Sequence, residues 1–137
     1  MSAPAQTTRP YAPLDHVSIA VSDLLRSIRF YDAAFAPLGI KRVKEVPGHV
    51  GYGTNRPFFW LHPRAAKGAV RPGIGLHFCF GAKTRAEVDA FYGAAMAEGA
   101  KDNGAPGLRT IYHPSYYGAF VLDPDGYKIE AVCHFRK

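Results

Sequence analysis

Residues 14–21 read Leu14-Asp15-His16-Val17-Ser18-Ile19-Ala20-Val21, and a related stretch, Gly75-Leu76-His77-Phe78-Cys79-Phe80, follows in the second half of the chain. The pairs Phe30-Tyr31 and Phe91-Tyr92 follow the two histidines at the same spacing. Each copy is a short apolar run, a polar break and a helix-like segment, which indicates one βα-led unit used twice. The sequence therefore predicts His16 and His77 in equivalent strands.

The size and composition of the chain favour a single folded domain. The chain has 137 residues, of which 47% are hydrophobic and 20% charged, as in ordinary globular proteins. Halves of about 60 residues would be marginal alone, so we expect the two units to share one core. Residues 1–12 are expected to form a tail, without the apolar segment of a signal peptide or a membrane span. A cytoplasmic protein that does not associate with membranes is the expectation.

The chain carries a formal net charge of +6, which raises the question of a nucleic-acid partner. Its basic residues are scattered, and the one tight group, Lys41, Arg42 and Lys44, is followed directly by Glu45. We therefore expect no nucleic-acid binding, whereas the excess of positive charge can favour an anionic small substrate. The cysteines Cys79 and Cys133 lie in apolar runs without CxxC spacing, which favours buried, reduced thiols over a disulfide or a zinc site.

The first unit is predicted to contain one helix and four strands. A strand over residues 14–21 leads into a helix that Ser22 or Asp23 can cap and that Pro37 and Gly39 end. Further strands are predicted over residues 40–46, 50–54 and 57–62, which gives the order βαβββ. Residues 63–73 are predicted to form the loop that joins the two units.

The second unit is predicted to repeat that order. A strand over residues 74–80 precedes a helix that begins with the capping box Thr84-Arg85-Ala86-Glu87 and ends at Gly99. Residues 103–107 are predicted to be a loop, followed by extended pieces over 109–112 and 116–122. The turn Asp123-Pro124-Asp125-Gly126 predicts a hairpin between residues 117–122 and 128–133.

One carboxylate and the two repeated histidines form a candidate metal site. Glu130 lies in the last strand between apolar neighbours, where an unpaired carboxylate would be costly to bury. If the two units pack with pseudo-twofold symmetry, His16, His77 and Glu130 can converge. Two imidazoles and one carboxylate leave coordination positions open for substrate on a divalent metal. Surface or core positions without function remain the alternative for each residue alone.

At these residues the chain resembles the vicinal oxygen chelate superfamily, which contains glyoxalase I, bleomycin-resistance proteins, extradiol dioxygenases and methylmalonyl-CoA epimerase. The resemblance covers about residues 13–134 and rests on both histidine strands and on Asp123-Pro124-Asp125-Gly126-Tyr127-Lys128-Ile129-Glu130. It implies an α+β fold in which two βαβββ modules, about 13–62 and 74–134, form an open cup with pseudo-twofold symmetry within one domain, 13–137. It further implies His16, His77 and Glu130 as metal ligands, and a homodimer.

The family pattern usually has a fourth ligand on the last strand of the first module. Trp60, which cannot bind a metal, stands at that position, and His62, two residues further on the same face, is the alternative. The departure weakens an assignment to glyoxalase I or the epimerase. It leaves a two-histidine, one-carboxylate set of the extradiol dioxygenase kind, or a site that has lost its metal.

Other polar and aromatic residues are candidates for the lining of the cup. A tyrosine or histidine there can position or protonate a bound oxygen, although tyrosine-rich segments are also simply good strand formers. The candidate catalytic residues are Tyr112, His113 and Tyr117, and the candidate pocket residues are Trp60, Arg109 and Tyr116. No nucleotide-binding motif is found, since Gly104 to Gly107 lacks the strand-to-helix context that phosphate loops need.

The sequence thus predicts a metal-dependent enzyme that binds adjacent oxygens of a small molecule for lyase, isomerase or dioxygenase chemistry. The metal can be zinc, nickel, manganese or iron, because imidazole and carboxylate ligands accommodate all four. The alternatives are a metal-free protein of the bleomycin-resistance type, which sequesters a ligand in the same cup, and a catalytically silent assembly module.

Overall fold

The computed structural model describes residues 11–64 and 69–137. The first module consists of β1 (Val17–Val21), α1 (Leu24–Phe35), a 3₁₀ turn (Ala36–Leu38), β2 (Lys41–Val46), β3 (His49–Gly53) and β4 (Pro57–Pro63). The second consists of β5 (His77–Gly81), α2 (Arg85–Ala97), β6 (Lys101–Leu108), β7 (Tyr117–Leu122) and β8 (Lys128–Cys133). Both modules therefore have the predicted βαβββ order.

Each module forms its own mixed four-stranded sheet, and the two sheets have the same topology. Their strand orders are β1-β4-β3-β2 and β5-β8-β7-β6. In each sheet the first strand pairs in parallel with the last, and the other neighbours are antiparallel. The sheets are not closed, which confirms the predicted α+β fold with two similar modules and an open, cup-shaped arrangement of strands.

Side-chain caps explain where both helices begin. The Asp23 carboxylate accepts a hydrogen bond from the Arg26 amide at 3.2 Å, before the first residue of α1. Before α2, the Thr84 hydroxyl and the Glu87 carboxylate each bind the backbone amide of the other residue, which is the predicted capping box. Gly39, with a φ of 72°, ends the helical segment of the first module in the left-handed conformation that glycine adopts freely.

The two modules share one hydrophobic core. Phe35 of α1 packs against Phe80 of β5 with ring centroids 4.8 Å apart, and Phe59 of β4 contacts Phe80 at 5.3 Å. The fully buried Tyr31 hydroxyl donates a 2.5 Å hydrogen bond to Asp123, in the turn between β7 and β8. The modules are joined through packing and through a buried polar contact, as expected for halves too small to be stable alone.

The prediction of a loop over residues 103–107 was wrong, because these residues belong to β6. This strand lies at the edge of its sheet and pairs with β7 alone, with register shifts around Gly104 and Gly107. Glycine and proline are tolerated at such an edge because one side of the strand needs no ladder hydrogen bonds. The extended piece predicted over residues 109–112 lies instead in the turn between β6 and β7.

Two predicted segments fall partly or wholly outside the described residues. The described residues do not include 1–10 of the predicted tail (1–12). They also do not include 65–68 of the predicted junction (63–73). No helix within 11–64 and 69–137 is long and apolar enough to cross a membrane.

Candidate functional site

Strand register gives Trp60 and Glu130 the same place in their respective sheets. Trp60 of β4 is paired with Ser18 of β1, and Glu130 of β8 is paired with Cys79 of β5. Ser18 and Cys79 each lie two residues after the repeated histidine of their module. The module carrying Glu130 thus has a carboxylate where the other module has an indole ring.

Glu130 is the centre of a hydrogen-bonded group on the second sheet. Its side chain is 1% exposed, and its Oε1 lies 2.7 Å from His77 Nε2. The Tyr116 hydroxyl donates to its Oε2. A Cβ on Gly118 would lie 3.1 Å from that oxygen and 3.2 Å from the Tyr116 ring, so glycine there leaves room for both groups. Both oxygens of this buried carboxylate therefore have partners, as a buried charge requires.

The groups next to Glu130 are kept protonated. Burial, the negative charge of Glu130 and a hydrogen bond to it raise the pKa of the Cys79 thiol to about 12. Burial and the hydrogen bond to Glu130 likewise raise the pKa of Tyr116. At neutral pH both are uncharged, so Tyr116 is available as a donor to the Glu130 carboxylate.

His16 lies apart from this group. The prediction that it lies in a strand like His77 was wrong, because β1 begins one residue later, at Val17, whereas His77 is the first residue of β5. The His16 side chain is 51% exposed, and its Nδ1 lies 2.7 Å from the Asp15 carboxylate. Across the described ranges, 11–64 and 69–137, no three His, Cys, Asp or Glu side chains are grouped closely enough to hold a metal ion. The predicted donors are of the types that divalent metals take, but a single chain brings together only His77 and Glu130.

A cleft of about 530 Å³ is lined by both repeated histidines. Its walls are largely apolar and come from both modules, including Leu38, Ile40, Phe58, Phe78 and Phe80. Its volume lies within the range of small-molecule sites. A second cavity, of about 300 Å³, is lined by His16, Ser18, Val46, His49 and Trp60. His16 therefore borders both cavities, whereas His77 lines the larger one.

His113 belongs to a second polar group, which extends from Tyr116. Its Nε2 lies 2.8 Å from Nδ1 of His134, and its Nδ1 accepts a hydrogen bond from the Ser115 amide at 3.1 Å. Since Nδ1 is an acceptor, the proton of neutral His113 is on Nε2 and points at His134. The Tyr116 ring packs edge-on against both imidazoles.

The remaining candidates have different surroundings. Tyr112 is 62% exposed, with its ring 4.7 Å from that of Tyr116. Tyr117 donates a 2.6 Å hydrogen bond to Asp89 of α2 instead of contacting Glu130. Arg109 binds the Ala105 carbonyl oxygen at 2.6 Å and covers the Phe120 ring. Their assigned roles stay predictions.

Two neighbours of the site were missed from the sequence. Cys79 and His134 were not among the candidate residues. Cys79 lies two positions after His77 in β5, so both side chains project from the same face of that strand, and counting every second residue from His77 would have found it. His134 follows the end of β8 and meets His113 only through the fold, so no strand periodicity pointed to it.

Comparison with known proteins identifies the family. Residues 13–131 match the Glyoxalase/Bleomycin resistance protein/Dioxygenase superfamily. The chain belongs to this superfamily, which is also known as the vicinal oxygen chelate superfamily and whose members bind small-molecule substrates. No curated protein matches the sequence.

Solved structures share the fold. A glyoxalase/bleomycin resistance protein from Albidiferax ferrireducens T118 is 31% identical with a TM-score of 0.78, over 89% of this chain and 98% of that chain. Glyoxalase I from Zea mays is 25% identical with a TM-score of 0.66, over 87% of this chain and 43% of that chain. A lactoylglutathione lyase from Agrobacterium tumefaciens, at 23% identity, has the same fold, with a TM-score of 0.60 over 91% and 96% of the two chains.

Proposed function

We propose that the protein is a metal-dependent enzyme that binds adjacent oxygens of a small molecule for lyase, isomerase or dioxygenase chemistry. The observation that carries the proposal is the buried Glu130 carboxylate held 2.7 Å from His77, at the strand position that the first module gives to Trp60. Burying a carboxylate is costly, so its presence beside an imidazole at a cleft favours a functional role. A solved glyoxalase I shares the fold at 25% identity.

His77, Glu130 and His16 are the residues that would hold the metal. When bound, a divalent metal supplies a Lewis acid and a template for substrate oxygens. Tyr116 orients Glu130 through its hydroxyl, and His77 is positioned by the same carboxylate. Tyr112 and His113, beside Tyr116, are the candidates for moving protons at the bound substrate.

A homodimer is part of the proposal. One chain groups two of the three donors, and the third, His16, is exposed on the other module. A second copy that brings its first sheet against this second sheet would add His16 to His77 and Glu130. Closed twofold dimers are the commonest assemblies, and they create such a composite site twice. We also place the enzyme in the cytoplasm.

A metal-free binding protein of the bleomycin-resistance type is the second candidate. Two observations favour it: the apolar cleft is present in a single chain, and Trp60 occupies the place of a ligand. Such a protein would need the cleft but not the histidine and glutamate donors.

Elemental analysis of protein purified without chelators separates the two candidates. The variants are His77→Ala and, as a control that lines neither cavity, Tyr92→Phe, whose hydroxyl binds Asp102 at 3.0 Å. We expect near-stoichiometric metal in the wild type and the control, and its loss in His77→Ala. A wild type that stays free of metal after reloading with zinc, nickel, manganese or iron, or a His77→Ala variant that keeps its metal, would overturn the proposal.

A further inference from the structure

The larger cleft follows the free edge of the second sheet. Among the described residues, strand β5 pairs with β8 on one side only, and all five of its residues, His77–Gly81, line the cleft. The facing wall comes from the first module, with Leu38, Ile40 and Phe58. The cleft is therefore a junction between the modules and is present in one chain.

The walls of the cleft are suited to an apolar group. Phe58, Phe78 and Phe80 contribute three aromatic rings, with Phe58 and Phe80 nearly parallel at 29° and 6.4 Å apart. Phe78 and Phe80 also contact Phe59, which is buried in the shared core. Rings fixed in this way lose little entropy when a ligand covers them.

Two cationic side chains line the same cleft. Arg56 is half-buried, and its guanidinium is held by the Asp15 carbonyl oxygen. Lys83 lies just beyond β5, and its side chain is exposed. Asp15 also lines the cleft, and its carboxylate lies 2.7 Å from His16 Nδ1. The Glu87 carboxylate accepts a hydrogen bond from the Lys83 backbone amide.

The cleft therefore carries more positive than negative side-chain charge. Arg56 and Lys83 outnumber the carboxylate of Asp15, in a chain whose net charge is +6. A cation beside an apolar wall attracts an anion more strongly than it would in open water, because the wall lowers the local dielectric constant.

We infer that this cleft binds a small apolar anion. Its aromatic or branched aliphatic body lies against Phe58, Phe78 and Phe80, and its anionic group is within reach of Arg56 or Lys83. The inference rests on the proposed function in taking the cleft as the substrate site, since the proposed metal ligand His77 lines it. It adds a substrate class, namely an apolar acid rather than a neutral or cationic compound.

Two fluorescent probes that share a skeleton test the inference. Anilinonaphthalene sulfonate is an apolar anion, and N-phenylnaphthylamine is its uncharged counterpart. Both are titrated, with metal removed by a chelator, into the wild type, the double variant Arg56→Gln/Lys83→Gln and the control Arg29→Gln/Lys101→Gln. The control removes the same two charges from exposed positions that do not line the cleft.

We expect sulfonate affinity to fall roughly tenfold or more in the cleft variant and to stay unchanged in the control. Affinity for the neutral probe should stay the same in all three proteins. An equal loss for both probes, an equal loss in the control, or no sulfonate binding by the wild type would overturn the inference. If thermal melting shows that the double variant is not folded, Lys83→Gln alone carries the test, because that side chain is exposed.

Failure of this inference differs from failure of the proposed function. Probe binding is measured without metal, whereas the proposed function is judged by metal content in the wild type and in His77→Ala. If the protein binds metal but its sulfonate affinity is unchanged in Arg56→Gln/Lys83→Gln, only the inferred substrate class is wrong. A protein without metal whose sulfonate affinity depends on both cations would favour the ligand-binding candidate.

Discussion

Replacing Tyr31 with phenylalanine removes a single hydroxyl from the contact between the modules. Tyr31 is fully buried and donates a 2.5 Å hydrogen bond to Oδ2 of Asp123, while Oδ1 accepts from the amides of Asp125 and Tyr127. Asp123 is itself only 4% exposed, so water cannot replace the lost donor. A hydrogen bond to a charged, buried group is worth about 2 kcal/mol. We expect the free energy of unfolding to fall by about that amount and the melting temperature by about 6 °C.

The effect of Tyr31→Phe should depend on pH. Burial raises the folded-state pKa of Asp123 above its ordinary value, and the hydrogen bond from Tyr31 opposes that rise. A carboxyl group whose folded pKa is raised favours the folded state at low pH and loses this contribution as pH rises through the folded pKa. Without Tyr31 the pKa rises further, so the variant should lose more stability at neutral pH than near the folded pKa of Asp123.

Urea denaturation at neutral pH and at an acidic pH measures this difference. Tyr127→Phe is the matched control, because its hydroxyl also joins the modules but donates to a backbone carbonyl, that of Ala20, at 2.8 Å. The control should lose about 1 kcal/mol at both pH values. The reasoning is refuted if Tyr31→Phe lowers the free energy of unfolding no more than the control does. It is also refuted if the loss is the same at both pH values, because Asp123 would then not depend on the Tyr31 hydroxyl.

Two further predictions concern the site. Tyr116→Phe frees one oxygen of Glu130, so the protein should bind its metal about 10- to 100-fold more weakly in competition with a chelator; unchanged affinity would contradict a positioning role. Alkylation of Cys79, followed by peptide mass, should keep accelerating up to about pH 12, because burial and Glu130 hold the thiol pKa there. Glu130→Gln should lower that pKa and speed the reaction near pH 8. An alkylation rate that levels off near pH 9 in the wild type would contradict a Cys79 pKa raised by burial and by Glu130.

Local signals in the sequence predicted most of the fold. The capping box at Thr84 and Glu87 marked the start of α2, and the candidate caps Ser22 and Asp23 marked that of α1, where the structure has Asp23. The turn that begins at Asp123 likewise marked the last hairpin, because a cap or a turn joins residues only a few positions apart. Residues 103–107 were misassigned because a glycine- and proline-containing segment becomes a strand only beside a partner, here β7.

The candidate site was predicted less completely. Its metal ligands were predicted from the repeat and the family resemblance and stay a proposal, although the structure brings two of the predicted residues, His77 and Glu130, into contact. Whether His16 joins them stays a prediction, since it depends on a second copy. Tyr116 contacts Glu130 and Tyr117 contacts Asp89. The sequence could not show which of these adjacent tyrosines faces Glu130, because that depends on where β7 begins and on its register with β8.

The sequence by itself determined the two βαβββ modules and their order, because periodicity, caps and turns are properties of neighbouring residues. The tertiary structure alone decided which side chains meet. Pairing of β5 with β8 set His77 beside Glu130, and pairing of β1 with β4 gave Trp60 the corresponding place. The packing of Phe35 and Phe59 on Phe80 joined the modules and formed the cleft. Such contacts depend on register and on long-range packing, which no local pattern specifies.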